Sequence, residues 1–187
     1  MAKLNLNPLM DGMSGSIGEL VLRNRNGRTI VARKPQKSNR PHTPAQLAHF
    51  ERFRLAASYA KASLADPVLS AVYEAVAKEK EVQPYPLAVG DYFNAPTIDG
   101  VYLEGYTGKA GQQIVIHATD DVAVASVAVA IRNGDAIVEQ ATAVFENGAW
   151  RYTTRVNMDV VPGTTAVDAV AMDHPGNKTT RTVVKQA

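Results

Sequence analysis

The 187-residue chain contains no cysteine. This absence excludes disulfide bonds, thiolate metal sites and a cysteine nucleophile, so a small domain must be held together by its apolar core or by neighbouring subunits. Aromatic residues are scarce, at 6% of the sequence, and only one is tryptophan. No stretch approaches the roughly 20 apolar residues of a membrane-spanning helix. We therefore expect a folded protein that has no membrane partner.

Familiar catalytic motifs are missing as well. The sequence has no Gly-x-Ser-x-Gly nucleophile elbow and no Walker loop. None of the four histidines has a second ligand at helical spacing, so the pattern does not predict a metal site. The four are His42, His49, His117 and His174. The sequence predicts no enzyme, no cofactor and no small-molecule substrate.

Charge is divided unevenly along the chain. Residues 1–61 hold eleven lysines and arginines against three acidic residues, a balance of +8, and the remainder carries −6. Such a separation is typical of a protein that binds something acidic with one end.

The hydrophobic pattern divides the chain into three parts. Residues 1–40 alternate, residues 43–82 have helical periodicity, and residues from about 97 onward are strand-like. Between the last two parts, residues 83–96 contain three prolines and a glycine, which predicts an irregular segment. We place a domain boundary there. The expected fold class is α+β, with a basic attachment region at 1–90 and an all-β domain at 97–187.

The sequence pattern predicts a β-hairpin at the basic end. Two apolar stretches flank Asn26-Gly27, a strong hairpin signal because both residues tolerate positive φ. Recurring glycines at 12, 15 and 18 predict a flexible lead-in. Basic residues at and after the hairpin tip are the predicted electrostatic contacts: Arg23, Arg25, Arg28, Arg33 and Lys34.

Two helices are expected to follow as a helical hairpin. Thr43-Pro44-Ala45-Gln46 is a capping box with proline at the first helical position, and Asp66-Pro67 repeats the start signal. One apolar stripe is predicted on the first helix, and its aromatic members Phe50 and Phe53 are the predicted packing anchors. The stripe consists of Leu47, Phe50, Phe53, Ala57, Ala60 and Leu64.

The pattern from about residue 97 onward predicts a β-sandwich, because seven short segments of alternating hydrophobicity are separated by turn residues. The segments are Val101–Glu104, Gln112–Thr119, Val124–Arg132, Ile137–Phe145, Trp150–Val156, Thr165–Met172 and Thr179–Lys185. Three alternating sets are predicted to face inward: Ile114, Ile116 and Ala118; Val127, Val129 and Ile131; and Val167, Ala169 and Ala171.

Several motifs in this part are similar to the bacterial immunoglobulin-like modules of surface proteins and phage structural proteins. They are Asp120-Asp121-Val122, residues 126–129, residues 148–153, residues 167–173 and residues 176–179. The resemblance, over about 97–187, implies a spacer, adhesive or decorating unit without an active site. A single copy and the lack of a signal peptide favour a particle assembled inside the cell over a surface adhesin.

The first half more weakly resembles an uncharacterised family of small bacterial and phage-associated proteins. The resemblance is carried by Gly15-Ser16-Ile17-Gly18, Arg33-Lys34-Pro35, Thr43–Gln46 and Phe53. It implies a phage-like context and no particular activity.

Three acidic residues raise the question of calcium. Asp120, Asp121 and Asp173 fall in turns or strand ends that one end of a sandwich can bring together. Because no Asp-x-Asp-x-Asp loop is present, we interpret them as solvated turn acids and predict no metal site.

Two functions stay open. The first is a non-enzymatic assembly protein that self-associates, or docks onto a phage-like or filamentous particle, through its basic end and displays the immunoglobulin-like domain. The second is sequence-nonspecific nucleic-acid binding through residues 23–40. Opposite charges on the two parts favour contact between subunits. We expect synthesis in the cytoplasm without a signal peptide, and incorporation into a virion or another released particle.

Overall fold

The structure is a computed structural model that describes residues 14–25, 28–36 and 41–186, with only the backbone at 25 and 28. Within these ranges the chain has three helices and eleven strands in three antiparallel sheets, which is a mixed α+β fold. The chain separates into two compact units, residues 1–43 and 44–187. The helices therefore group with the C-terminal strands, and the division differs from the predicted boundary at 83–96.

The first unit contains a three-stranded sheet in the order β1-β2-β3. Its strands are β1 (Gly15–Ile17), β2 (Leu20–Arg25) and β3 (Arg28–Arg33). The predicted hairpin is confirmed by β2 and β3, while its Asn26-Gly27 turn lies outside the described residues. The prediction of a flexible lead-in was wrong for β1. Gly18 adopts a φ of 56°, which lets the chain turn back from β1 into β2.

The second unit begins with three helices: α1 (Pro44–Ala65), α2 (Pro67–Glu79) and α3 (Pro84–Asp91). The two predicted helix starts are confirmed. Asp66 caps α2 by accepting hydrogen bonds from the backbone N–H groups of Val68 (2.8 Å) and Leu69 (3.2 Å). The prediction of an irregular segment at 83–96 was wrong for residues 84–91, because Pro84 and Pro86 lie in the first turn of α3, where N–H groups need no helical acceptor. Residues 92–96 belong to no helix or strand, as predicted.

The helices pack around a small buried cluster. Ala60 of α1, Tyr73 of α2 and Ala88 of α3 form its centre. The predicted stripe of α1 is buried only in its second half, since Leu47, Phe50 and Phe53 are each about half exposed. None of the helices in the described residues has both the length and the hydropathy needed to cross a bilayer.

Eight strands complete the second unit: β4 (Thr97–Tyr102), β5 (Gln113–Thr119), β6 (Val124–Asn133), β7 (Ala136–Thr142), β8 (Val144–Glu146), β9 (Ala149–Thr153), β10 (Thr165–Asp173) and β11 (Lys178–Val184). They form two sheets, β4-β5-β9-β8 and β11-β10-β6-β7. The predicted single strand 137–145 is therefore two strands in different sheets. The chain crosses over at Ala143, which is buried and donates its N–H to the carbonyl of Val127.

The two sheets face each other across one apolar core, as in a β-sandwich. The residues predicted to point inward are fully or nearly fully buried, except Ala118, which is partly buried. The alternation of side chains along a strand explains this agreement, because every second residue reaches the same face. His117, with the opposite phase, is exposed.

Ile116 and Ile137 provide a matched test of this core. Ile116 is fully buried on β5, whereas Ile137 on β7 is 59% exposed. We expect I116A to lower the free energy of unfolding by about 2–5 kcal/mol, because it leaves a cavity. The same truncation at Ile137 should cost about 0.5 kcal/mol or less. Urea unfolding measures both values, and equal losses would contradict this assignment of the core.

The outer face of the β6–β10 pair carries an ion pair. Arg132 donates to Asp168 through Nε (2.5 Å) and Nη2 (3.1 Å), and the hydroxyl of Thr182 donates to Asp168 Oδ1 at 2.6 Å. Hydrogen bonding by Arg132 lowers the pKa of Asp168, assisted by Thr182 and opposed by partial burial. The folded protein therefore resists protonation of this carboxylate.

This ion pair should make stability depend on pH. Because the pKa of Asp168 is lower in the folded than in the unfolded state, its stabilisation is present at neutral pH and is lost as the pH falls below about 4. We expect D168N to cost about 1–2 kcal/mol at pH 7. The difference from the wild type should shrink at pH 3. A gap that stays constant between these pH values, measured by urea unfolding, would refute the coupling.

Candidate functional site

The predicted basic contacts lie on or just after the sheet of the first unit. The side chains of Arg23, Arg33 and Lys34 are exposed. Arg25 and Arg28 are register partners at the end of the β2–β3 hairpin, and their side chains lie outside the described part of the structure. The backbone therefore brings Arg25 and Arg28 together at the hairpin end.

The same sheet has apolar residues on both faces. Alternation and register place Leu20, Leu22 and Val31 on one face and Val21, Ile30 and Ala32 on the other. Among the described residues of this unit only Leu22 is buried, whereas Ile17 is 60% and Leu20 43% exposed. The part of the face that carries Ile17 and Leu20 is thus largely open to solvent, while Val21 and Ile30 on the other face are half-buried.

The predicted aromatic anchors lie on the first half of α1. Phe50 and Phe53 are 50% and 52% exposed, so neither is part of the buried helical cluster. Nearby, Arg54 pairs with Glu51 at 2.6 Å. An open pocket on this helix is lined by Phe50, Phe53, Arg54, Ala57, Ser58 and Lys61.

A second candidate site is a cluster of three carboxylates from separate elements. Asp91 ends α3, Asp120 follows β5 and Asp173 ends β10. One carboxylate oxygen from each lies within 4.8 Å of the other two. Asp91 and Asp173 are each 1% exposed. We refer to these three residues as the acidic cluster.

The interpretation of Asp120 and Asp173 as solvated turn acids was wrong. Both belong to the acidic cluster, where Asp173 is buried and the carboxylate oxygens of Asp120 are shielded from solvent. Asp121 lies outside the cluster and is exposed, with Oδ2 accepting a hydrogen bond from the Asn94 amide at 2.5 Å. Sequence reasoning missed Asp91, because the segment that carries it was predicted to be irregular.

Asp173 is held in place by a β-bulge and by Asn177. The register between β10 and β6 shifts between Met172 and Asp173, as at the bulges that re-aim side chains near functional sites. Asn177 donates to both oxygens of Asp173, from its backbone N–H at 2.6 Å and its side-chain amide at 2.8 Å. The same amide donates to the carbonyl of Asn94 at 2.8 Å. Asn177 therefore connects the β10–β11 turn to the segment after α3.

Asp91 is held from the helical side. The hydroxyl of Tyr73 donates to Asp91 Oδ2 at 2.5 Å, and Tyr59 and Tyr73 share a hydrogen bond of 2.9 Å. Burial raises the pKa of Asp91 to about 7; the hydrogen bond from Tyr73 opposes the rise, and the charges of Asp120 and Asp173 add to it. The other oxygen of Asp91, Oδ1, is buried without a hydrogen-bond partner.

The surroundings of Asp120 also disfavour its ionised form. Neither of its carboxylate oxygens has a hydrogen-bond partner of normal geometry. Burial raises the pKa of Asp120, and the neighbouring backbone N–H groups of residues 121–123 partly oppose the rise. Within the described part of the chain, no lysine, arginine or histidine forms an ion pair with the acidic cluster. The cluster therefore concentrates carboxylates without a protein cation to neutralise them.

Comparison with known proteins gives no relative: no protein-family model matches the chain, and no match is found among curated proteins or solved structures. The resemblances to immunoglobulin-like modules and to the uncharacterised phage-associated family thus stay predictions.

Asn177 offers a test of the junction between the helices and the sandwich. We expect N177A to lower the free energy of unfolding by about 2–3 kcal/mol, because it leaves Oδ2 of the buried Asp173 without the amide donor and removes the hydrogen bond to the carbonyl of Asn94. N157A, which removes one exposed hydrogen bond to the Ala110 N–H, should cost about 1 kcal/mol or less. Thermal and urea unfolding measure both losses. Equal losses would show that Asn177 does not tie the elements together.

Proposed function

We propose that this chain is a non-enzymatic structural protein whose copies associate with one another. The sheet β1-β2-β3 of one copy docks against the acidic second unit of another copy. The observation that carries the proposal is the sheet itself, which has apolar residues on both faces and one buried side chain among those described.

The sheet needs a covering surface. Ordering three strands costs conformational entropy that one buried leucine does not offset. Small antiparallel sheets become stable when at least one apolar face packs against another layer. Ile17 and Leu20, both more than 40% exposed, provide apolar area that a partner can bury.

Charge favours a second copy of this chain as the partner. Beyond residue 61 the sequence holds fifteen acidic residues against nine lysines and arginines. Arg23, Arg33 and Lys34 around the sheet are exposed and complement this excess. Exposed acids on the second unit include Glu74, Glu79, Glu81, Glu104, Asp135 and Glu146. An interface between unlike surfaces of identical copies builds a ring or a filament.

The sandwich supplies the displayed part of such an assembly. Its strand orders, β4-β5-β9-β8 and β11-β10-β6-β7, correspond to the two sheets of immunoglobulin-like domains, in which the fourth strand of the second sheet is an added edge strand. This correspondence supports an immunoglobulin-like domain within a phage-like or filamentous particle. The proposed role of the sandwich as the displayed domain is supported by the family resemblance together with this strand order.

Nucleic-acid binding accounts for the exposed residues of the first unit less well than association with a protein surface does. Phosphates can neutralise the exposed arginines, but they do not cover the apolar face that carries Ile17 and Leu20. The sequence has no phenylalanine, tyrosine or tryptophan before Phe50, so bases find no aromatic platform on this sheet. A protein surface satisfies both the charge and the apolar faces.

Light scattering after size-exclusion chromatography tests the proposal on nuclease-treated protein. We expect particles larger than a monomer whose size grows with concentration. R23E/R33E should shift the association midpoint about tenfold or more to higher concentration, because two attractive contacts become repulsive. K78E/K109E, an equal charge change on exposed lysines of the second unit, should leave assembly intact.

Two outcomes would overturn this function. The first is a monomer at all concentrations that shifts only when DNA or RNA is added, which supports nucleic-acid binding. The second is an equal effect of both double variants, which reports net charge and not a docking surface. Leu20→Glu separates apolar docking from charge, since it should also weaken assembly while Val68→Glu, at a 74% exposed position on α2, should not.

A further inference from the structure

We propose that Asp91, Asp120 and Asp173 bind a calcium ion that joins α3 to the sandwich. The site lies entirely within the second unit and does not depend on the proposed association of copies. It takes a hard divalent cation through oxygen ligands.

The spacing of the acidic cluster suits this ion. Calcium binds oxygens at about 2.4 Å, so two oxygens on opposite sides of it are about 4.8 Å apart. The cluster offers one oxygen from each residue within that same 4.8 Å. Three carboxylates from three separate elements thus converge on a volume that one ion fills.

Asp91 gives a second and independent indication. The residue is 1% exposed, and its Oδ1 has no hydrogen-bond partner, although Oδ2 is held by Tyr73. A buried carboxylate oxygen without a donor is costly to maintain, and a cation removes that cost. Both oxygens of Asp120 are also buried without a hydrogen bond of normal geometry, although the backbone N–H groups of residues 121–123 lie near them.

Asp120 lies beside an open pocket, although its two carboxylate oxygens are themselves shielded from solvent. This residue lines an open pocket together with Phe93, Asn94, Ala95, Thr97, Thr119 and Asp121. Calcium requires six to eight oxygen ligands, and water in the pocket can complete the set that the carboxylates begin. Asn177 orients Asp173 from the side as a hydrogen-bond donor, as outer-sphere partners do for metal ligands.

The ligand chemistry favours a hard cation over zinc, and calcium is the hard cation that tolerates an irregular set of oxygens. The cluster contains no histidine and the chain no cysteine, so the ligands that zinc prefers are missing from the site. Magnesium binds oxygens at about 2.1 Å in strict octahedral geometry, which needs a smaller and more regular cage.

Calcium titration of the full-length protein, first freed of metal with EGTA, tests the site. We expect one saturable site by calorimetry, a melting temperature that rises with calcium concentration, and magnesium binding at least tenfold weaker. Terbium, a luminescent substitute for calcium, should be sensitised by Tyr73, whose hydroxyl lies 2.5 Å from Asp91 Oδ2. Calcium should displace the terbium signal.

Asp120→Asn tests the proposed ligand, and Asp135→Asn is its matched control. Asp135 is an exposed acid in the turn between β6 and β7. D120N should weaken calcium affinity tenfold or more while folding without calcium, because it removes charge that repels its neighbours. D135N should bind calcium as the wild type does.

Three results would refute the site: no saturable calcium response in the folded wild-type protein, tighter binding of magnesium than of calcium, or equal affinities for D120N and D135N. If D120N does not fold, the wild-type calorimetric and terbium titrations decide the question by themselves. Loss of calcium binding with intact assembly, or the reverse, separates this inference from the proposed function.

Discussion

The second unit depends on a buried polar junction at the end of α3. Tyr73 donates to Asp91 from the helical side, while the Asn177 amide donates to Asp173 and to the carbonyl of Asn94 from the sandwich side. The helices alone bury only a small cluster around Ala60, Tyr73 and Ala88. Because buried donors and acceptors are satisfied in only one arrangement, the junction specifies how the helical layer meets the strands more sharply than apolar contact does.

The two units differ in how much apolar core stabilises them. The sandwich has a core shared by two four-stranded sheets, with residues such as Ile114 and Val129 completely buried. The sheet of the first unit buries only Leu22 among its described residues. This difference suits the proposed association of copies, in which the sandwich would keep its shape while the sheet of the first unit would exchange solvent for a neighbouring surface. In that proposal charge would decide which neighbouring surface is favoured, since apolar contact does not depend on the sign of the charge.

The acidic cluster has a cost that packing does not explain. Burial and mutual repulsion both disfavour ionised carboxylates, and an apolar residue at position 91 would avoid the penalty. Buried groups with a perturbed pKa are concentrated at functional sites, and here the cluster lies where α3 meets the ends of β5 and β10. The proposed cation would turn the repulsion into a cross-link and would couple ligand binding to the stability of this unit.

Local patterns in the sequence determined the β2–β3 hairpin, the starts of α1 and α2, and the inward phase of the sandwich strands. Each depends on neighbouring residues only: the Asn-Gly pair, a capping side chain followed by proline, or strict alternation.

Tertiary structure decided the remaining features of the fold. Pro84 and Pro86 suit either a loop or the first turn of a helix, and α3 forms because Ala88 and Leu87 have a cluster to join. The strand predicted at 137–145 divides because Ala143 is drawn into the core between two sheets. The acidic cluster draws on residues 91, 120 and 173, which are far apart in sequence and become neighbours only when long-range packing closes the chain around them.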